Sequence, residues 1–343
     1  MKYIIILALL IILPCQQLNA EVSISSVTGT TTLTISGSGF GTHADESPND
    51  ANTIARLWDN FESGTCSTAT GKWDYGVSHA GVVMNTANNR TGSTYCAEQV
   101  RGESKNSSLN HTGDATKTSI YMYCWRNFEA FNPSEATNFK NWRVYPSGGS
   151  NQYLQMVWDS SRSTLGFVTG ITEGGPNSEG TIGADGIDAW HMYEIFIDAS
   201  TGKWIFGKDG RYILDTTYSY FGSYNSYRII FDQYCNGSSR TDKTYTDDTY
   251  ISWTQARVML SDHSTWDSTH SGQHQEIQIP TAWSDTSITV TLNQGSFTSG
   301  STAYVYVVDS TGAVNATGYE ITIGGSESPS TPTITGVMTG SIR

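Results

Sequence analysis

Basic residues are scarce in this chain. It has 343 residues, of which 19 are Lys or Arg and 32 are Asp or Glu, and its net charge at pH 7 is -13. This acidic surplus argues against nucleic acids and anionic membranes as partners, because both would repel it. It also disfavours a strongly acidic polysaccharide, unless a local basic groove overrides the overall field.

Helical periodicity and long apolar runs are missing as well. Past the N-terminus no segment is apolar enough to cross a bilayer, so we expect no membrane insertion. Short strand-like runs are separated by Gly, Ser, Thr, Asn and Asp, which is the pattern of an all-β sandwich. The length allows about two domains.

The N-terminus predicts a secretory signal over residues 1–20. Lys2 supplies a positive charge, residues 4–14 form a short apolar core, and Ala20 is a small residue at the end. We therefore expect a secreted protein, extracellular or at the cell surface. Cys15 leaves a lipoprotein anchor as the alternative, which Pro14 before it disfavours.

The most informative feature lies in residues 188–210. Two runs rich in aromatic and β-branched residues, Trp190 to Asp198 and Lys203 to Lys208, predict a hairpin whose turn ends at Gly202; a second turn, Asp209-Gly210, follows. This Trp-His, Asp, turn Gly and Asp-Gly series resembles laminin-G-like and concanavalin-A-like jelly rolls, a superfamily of lectins, glucanases and polysaccharide lyases. The resemblance implies a jelly-roll sandwich that handles glycans, but a fold does not settle an activity.

The two ends of the chain resemble parts of one small domain. Residues 22–29 and 32–41, with the element Gly37-Ser38-Gly39-Phe40-Gly41, resemble the start of an IPT/TIG immunoglobulin-like domain. The alternating runs 276–280, 283–292, 303–309 and 318–323 resemble its closing strands. We therefore predict a jelly roll inserted into a split Ig-like domain, since insertion is tolerated where the host's ends lie close together. Two tandem domains with a separate N-terminal hairpin are the alternative.

The predicted bounds follow from these resemblances. The Ig-like domain occupies residues 21–53 and 263–324, the jelly roll residues 54–262, and a linker with a C-terminal tail residues 325–343. If this layout holds, Thr32–Ser36 and Ile288–Leu292 belong to the same sheet.

The first and last strands of the insert carry acidic residues. Residues 57–65, with residues 245–252 and 256–260, resemble the terminal strands of concanavalin-A-like domains, which usually pair. In that superfamily acidic residues at these ends can hold a structural calcium ion, a hard cation that prefers oxygen ligands. The resemblance makes four residues candidate calcium ligands: Asp59, Glu62, Asp247 and Asp248. Alternatively, the two neighbouring aspartates cap turns.

Rings and hydrogen-bonding side chains recur at every second position in several strands. Sugars need this mixture, because their apolar faces meet rings and their hydroxyls meet polar groups. Period-two alternation gathers ten residues into a candidate glycan-binding face: Tyr121, Tyr123, Trp125, Arg143, Tyr145, Tyr153, Gln155, Arg228, Asp232 and Tyr234. A sandwich core with the same rings is the alternative.

Four cysteines follow the signal, and export permits disulfides. The four allow three pairings. We favour Cys66–Cys96, which closes a short loop, and Cys124–Cys235, because strand alternation turns both partners toward the core. Buried free thiols are the alternative.

Catalytic signatures of the superfamily are weak. The nearest match to the carboxylate run of its glucanases, Glu194 to Asp198, lacks a middle carboxylate. The Gln-(Ile/Val)-His strand of alginate lyases is missing, and His191 is explained by the hairpin motif. We therefore predict a secreted glycan-binding or adhesion protein whose partner is a polysaccharide or glycoconjugate. An extracellular polysaccharide lyase and a non-catalytic structural surface protein are the alternatives.

Overall fold

The chain is described here from a computed structural model. It covers residues 21–43, 48, 51–66, 72–73, 82–100, 107–129, 139–145, 154–158, 166–171, 177–181, 189–217, 225–235, 243–268 and 272–324, with only the backbone for some strand residues. All regular structure in these ranges is β-strand, which confirms the predicted all-β class. Within them no helix is long and apolar enough to span a membrane. The predicted signal and the predicted tail lie outside the described residues.

The strands are numbered along the chain. The first seven are β1 (Ser23–Thr28), β2 (Thr32–Ser38), β3 (Leu57–Asp59), β4 (Val82–Asn85), β5 (Cys96–Val100), β6 (Ser107–Asp114) and β7 (Ser119–Phe128). The next seven are β8 (Phe139–Tyr145), β9 (Leu154–Trp158), β10 (Gly166–Ile171), β11 (Asn177–Thr181), β12 (Trp190–Asp198), β13 (Lys203–Lys208) and β14 (Arg211–Thr217). The remainder are β15 (Ser226–Cys235), β16 (Lys243–Ser252), β17 (Arg257–Ser261), β18 (Gln275–Trp283), β19 (Ser287–Thr291), β20 (Thr302–Val308) and β21 (Tyr319–Thr322).

These strands form three antiparallel sheets. A six-stranded sheet has the order β11-β10-β9-β8-β15-β6, and an eight-stranded sheet has the order β14-β13-β12-β7-β16-β5-β4 with β3 paired to β16. The two face each other across one buried cluster, which includes Leu109, Trp142 and Phe231 from the first and Ile120, Met122 and Tyr193 from the second. We call this pair of sheets the sandwich. It provides the two layers that a jelly roll requires.

The third sheet joins the two ends of the chain. Its order is β1-β2-β19-β18-β17-β20-β21, so two N-terminal strands lie beside five strands from beyond residue 256. Ile35 is opposite Ile288 in the β2–β19 ladder, which confirms the prediction that these segments share a sheet. The sheet curls until β1 and β21 approach each other, and it encloses a core of its own. We call it the terminal module; its IPT/TIG assignment stays a prediction.

The Gly37–Gly41 element ties the two ends together. Its backbone bonds to the β18–β19 turn: Gly37 N–H donates to the Thr286 carbonyl at 3.0 Å, and Gly41 N–H donates to Asp285 Oδ1 at 2.9 Å. Phe40 is fully buried in the module's core. A side chain at position 37 would collide with the Ser23 carbonyl, because an added Cβ would lie 1.9 Å from its oxygen. The glycine is therefore a packing requirement of this closure.

One predicted boundary is wrong. Residues 256–260 were expected to end the insert, but β17 pairs with β18 and β20 and lies inside the terminal module. The chain therefore leaves the sandwich after β16 and not near residue 262. The expected pairing of the insert's first and last strands is present between β3 and β16, where Trp58 lies opposite Tyr250.

The hairpin predicted from the Trp-His run is formed by β12 and β13, with Asp198 opposite Lys203. The turn after β13 contacts the start of β12. The backbone N–H of Met192 donates to Asp209 Oδ1 at 3.0 Å, and His191 Nδ1 lies 2.7 Å from Asp209 Oδ2. His191 therefore has the hairpin contact expected from the sequence.

Candidate functional site

The rings of β7 lie at the junction between sandwich and terminal module. As alternation predicts, Tyr121, Tyr123 and Trp125 face away from the sandwich core, which takes Met122 and Cys124. The outer face is nevertheless covered, because these rings pack in one buried cluster that includes Met259, Ile277, Ile279 and Tyr306 of the terminal module. The exposed fractions of the three side chains are only 1%, 0% and 7%. Their predicted place on an exposed glycan-binding face is therefore wrong, since another part of the chain occupies that face.

A buried ion pair crosses this junction. Arg90 of the sandwich bonds to Glu276 of the terminal module and to Asp248 on β16. Its guanidinium carbon lies 4.2 Å from the centre of the Trp125 ring, a cation–π distance. Trp125 Nε1 also donates to Glu276 Oε2 at 3.2 Å. Burial works to lower the pKa of Arg90, but the attraction of Glu276 and Asp248 outweighs it, so the net pKa is raised and the residue stays charged.

A second pair crosses the junction in the opposite sense. Arg257 of the terminal module lies 3.1 Å from Glu194 of β12, and its guanidinium sits 4.6 Å over the Tyr121 ring. Tyr121 donates its hydroxyl to Glu194 at 2.9 Å. Each part of the chain thus supplies one arginine and one glutamate to the other. This structural role also accounts for Glu194, the first carboxylate of the weak glucanase-like run.

Three predicted glycan-binding residues share one face of the six-stranded sheet, and the backbone of a fourth lies beside them. Arg143 and Tyr145 are two residues apart on β8, Arg228 of β15 lies opposite Tyr145, and Gln155 of β9 lies opposite Arg143. Trp142 and Val144, which flank Arg143 in sequence, point into the sandwich core. Period-two alternation therefore turns Arg143, Tyr145 and Arg228 to the outer face, as predicted, and the backbone of Gln155 lies beside Arg143.

On this face two guanidinium groups surround one ring. Arg143 donates to the Tyr145 hydroxyl, and its guanidinium lies 5.4 Å from the ring centre. Arg228 is exposed, and its guanidinium lies 4.5 Å over the same ring. The result is a flat, positively charged platform on an acidic protein. We call Arg143, Tyr145 and Arg228 the arginine–tyrosine platform.

The other three predicted residues add less. Tyr153 lies outside the described residues. Asp232 and Tyr234 are on β15, where the described part of the chain includes their backbone only. The ladder to β8 shifts register between Phe231 and Tyr234, so simple alternation no longer assigns the two to the platform's face.

Two of the predicted calcium ligands, Asp59 and Glu62, accept hydrogen bonds from other groups of the protein. Asp59 accepts hydrogen bonds from the indole of Trp73 at 2.6 Å and from the backbone N–H of Phe61 at 3.0 Å. Glu62 accepts from the backbone N–H groups of Thr94 and Tyr95 at 2.7 and 3.1 Å. These contacts anchor loops near β3.

The other two predicted ligands are buried at the junction. Asp248 bonds to Arg90, and Asp247 Oδ1 accepts from the Asp248 backbone N–H at 2.8 Å. The expectation that this pair bonds to backbone therefore holds for Asp247. Nowhere in the described ranges do three His, Cys, Asp or Glu side chains form a group that could hold a metal ion. Asp59, Glu62, Asp247 and Asp248 therefore do not form one calcium site within the described ranges; calcium binding itself stays a prediction.

The predicted disulfides are absent. Cys66, Cys96 and Cys124 are buried free thiols, so neither Cys66–Cys96 nor Cys124–Cys235 forms; the side chain of Cys235 is outside the described part. Burial raises the pKa of Cys66 to about 11 and that of Cys96 and Cys124 to about 12. Since the thiolate is the reactive form, these cysteines are inert parts of the core.

The sequence did not single out the cleft beside the junction. It has a volume of about 350 Å³, and both the sandwich and the terminal module supply its walls. Trp190, His191 and Asp209 belong to the hairpin motif used above to predict the fold, and His274 lies just before β18. No local pattern brings such distant residues together, so only the docking of the two parts reveals the cleft.

Comparisons with known proteins give distant likenesses of fold. No protein-family model and no curated protein matches the chain. One similar structure is of botulinum neurotoxin type C, whose cell entry is described as dependent upon interaction with two ganglioside molecules (14% identity, 50% of this chain and 41% of that one, TM-score 0.39). Another is a cellulose-induced protein, Cip1 (12% identity, 58% of this chain and 97% of that one, TM-score 0.41). A third is the binding domain of paraclostridial mosquitocidal protein 1 (11% identity, 69% of this chain and 71% of that one, TM-score 0.38).

These likenesses are too low to place the chain in a family. The chain also spans less than half the length of the botulinum neurotoxin chain that it matches. A functional conclusion therefore has to come from the geometry of this protein's own sites.

Proposed function

We propose that this protein is a secreted, non-catalytic glycan-binding protein whose sandwich binds a polysaccharide or glycoconjugate on the outer face of the six-stranded sheet. The observation that carries the proposal is the arginine–tyrosine platform. It combines a ring and two guanidinium groups on two adjacent strands, and Gln155 lies opposite Arg143 on the next strand.

The chemistry of the platform suits sugars. Guanidinium groups are fixed forks of N–H donors, which hydrogen-bond sugar hydroxyls and any acidic substituent. The flat stack of Arg228 on Tyr145, 4.5 Å from guanidinium carbon to ring centre, offers a surface for a sugar's apolar face. The platform is also a local basic feature on a chain of net charge -13, so it would be the place for an acidic substituent to bind.

A glycan array with the purified protein tests this proposal. We expect binding to a limited set of glycans, and a loss of affinity of about tenfold or more in Arg228→Ala and in Tyr145→Ala, because a hydrogen bond to a charged group is worth about 1.5–3 kcal/mol. Arg211→Ala is the matched control, since Arg211 is an exposed arginine on β14 of the other sheet. Its affinity should equal that of the parent protein.

The same preparations distinguish the alternatives. A polysaccharide lyase would release unsaturated products, so absorbance of these products from an array-positive polysaccharide would contradict the non-catalytic proposal. A structural surface protein would bind no glycan. Binding that is equal in the parent protein, Arg228→Ala and Tyr145→Ala would exclude the platform as the site.

A further inference from the structure

The junction cleft is separate from the arginine–tyrosine platform. It lies where the terminal module meets the eight-stranded sheet, and the platform lies on the six-stranded sheet. Arg90, Thr91 and Trp190 line it from the sandwich, and His274 and Ser296 line it from the terminal module. Ligand pockets in proteins begin at about 300 Å³, so this cleft has room for a small ligand.

The charged groups in the cleft wall already have partners in the protein. Arg90 is paired with Glu276 and Asp248. His274 Nε2 lies 2.9 Å from Glu276 Oε1, and His191 Nδ1 lies 2.7 Å from Asp209 Oδ2. A carboxylate or ammonium group on a ligand would compete with these ion pairs in a partly desolvated site. The cleft therefore favours an uncharged ligand.

Trp190 is the ring available to such a ligand. It is half-buried, and its Nε1 donates to the Asn88 carbonyl at 3.2 Å, which fixes the orientation of the ring. Trp125 lies deeper, with Arg90 already stacked on it. A fixed, partly exposed indole in a polar cleft is a surface for the apolar face of a sugar ring.

His191 supplies an unsatisfied polar atom. Asp209 uses Oδ1 to accept from the backbone N–H of Met192, so the contact of Oδ2 with His191 Nδ1 requires a proton on that nitrogen. In the neutral ring Nε2 is then an acceptor. It is buried and has no hydrogen-bond partner within the described ranges. Such an atom calls for a donor, and a ligand hydroxyl is one.

Backbone strain marks the same wall. Asp209 has a φ of +50°, a left-handed conformation that costs a residue with a side chain free energy. Its two contacts, to Met192 and His191, hold it in place. An Asp-Gly hairpin turn requires this conformation of its first residue, so the turn between β13 and β14 fixes Asp209, and with it the His191 contact, in the cleft wall.

We infer that the junction cleft is a second saccharide-binding site, which takes a short, uncharged sugar. The sugar packs on Trp190, and a small shift of the side chains that cover His191 Nε2 lets one hydroxyl donate to that atom. Thr91 and Ser296 offer further hydroxyl partners at the rim. Because the walls come from both parts of the chain, this site exists only in the docked arrangement. The inference does not depend on the platform and survives its failure.

Ligand-observed NMR with three neutral disaccharides, cellobiose, maltose and lactose, tests this site in the full chain. We expect at least one to bind, and Trp190→Ala to weaken that binding about tenfold or more. Thr91→Trp, a change at an exposed position of the rim, should block the cleft without disturbing the core. The uronic acid derivative of the sugar that binds should bind more weakly.

Three controls make the outcome decisive. Trp283→Ala removes a tryptophan that is also half-buried and also bonded through Nε1 to a backbone carbonyl, that of Phe40 at 3.2 Å, but at the far end of β18. Thr91→Ser keeps the rim open. Both should bind like the parent, and so should Tyr145→Ala, which affects only the platform. Absence of binding by all three sugars, binding retained in both Trp190→Ala and Thr91→Trp, or tighter binding of the uronic acid would overturn the inference.

Discussion

Asp247 and Asp248 are adjacent acidic residues that the fold buries together. Burial raises the pKa of Asp248 from 3.8 to about 6, against the opposing attraction of Arg90. Burial and the charge of Asp248 raise the pKa of Asp247 well above its usual value. Asp248 also has a left-handed φ of +46°. These two residues therefore reduce stability at neutral pH while holding Arg90 in place.

Replacing Asp247 by Asn should stabilise the protein at about pH 7. The amide oxygen of Asn can still accept the Asp248 backbone N–H, now 2.8 Å from Asp247 Oδ1, while the buried charge is removed. Because both folded pKa values are raised, the folded state keeps protons that the unfolded chain loses above about pH 4. Stability therefore falls as pH rises, up to about pH 6 for Asp248 and through the raised pKa of Asp247. Thermal unfolding of parent and variant across this range measures the difference.

In stronger acid, the stability of the protein changes with pH in the opposite direction. Burial works to raise the pKa of Glu276, but Arg90 and His274 outweigh burial and lower it. Glu276 therefore stabilises the folded state at any pH above the pKa that it has in the unfolded chain. This stabilisation is lost as pH falls through the lowered pKa of the folded state. Asp247→Asn should leave this acid limb unchanged. A variant less stable than the parent at about pH 7 would show that the Asp247 charge is needed to hold the junction.

The turn from β13 to β14 packs against the terminal module at Gln273 and Gln275. Gly210 has a φ of +76°, and a Cβ added there would lie 2.9 Å from Gln273 Cβ. Gly210→Ala should cost about 1–2 kcal/mol of unfolding free energy from left-handed strain, plus a penalty from the close contact. Chemical denaturation measures the total.

Gly300 provides the matched control for that turn. Its φ is +85°, but an added Cβ would meet nothing within 4 Å. Gly300→Ala therefore has the backbone strain without the collision, and the difference between the two variants isolates the packing of the turn on the terminal module. Equal losses in both would mean that the turn moves away from Gln273 at no cost.

At the scale of the molecule, sandwich and terminal module should unfold together. The rings of β7 pack on Met259, Ile277 and Tyr306, and the two arginine–glutamate pairs cross the junction in opposite senses. Separating the parts would expose these buried rings to water, whereas the charged side chains of both pairs would regain hydration, so the coupling comes mainly from the apolar contacts. We expect a single transition, with equal calorimetric and van't Hoff enthalpies. Two resolved transitions would show that the junction is weaker than this.

Much of this architecture was determined by the sequence. Period-two alternation in β7 placed Tyr121 and Tyr123 on the face opposite Met122. The matching halves of the terminal module predicted that β2 and β19 share a sheet across more than two hundred intervening residues. The first follows from local geometry, because a strand's alternation fixes which face a side chain takes. The second follows from the resemblance of the two end segments to parts of one Ig-like domain.

Only the tertiary structure decided what covers each face. Alternation cannot distinguish a ring that meets solvent from one that meets another module, so Trp125 was assigned to a binding face although it is buried in the junction. Arg143, Tyr145 and Arg228 have the same kind of pattern, yet the structure leaves Arg228 exposed. The junction cleft depends on Arg90, Trp190, His191, Asp209 and His274, residues far apart in the chain that docking alone brings together. Contacts between distant segments depend on the whole packing arrangement, which no local spacing records.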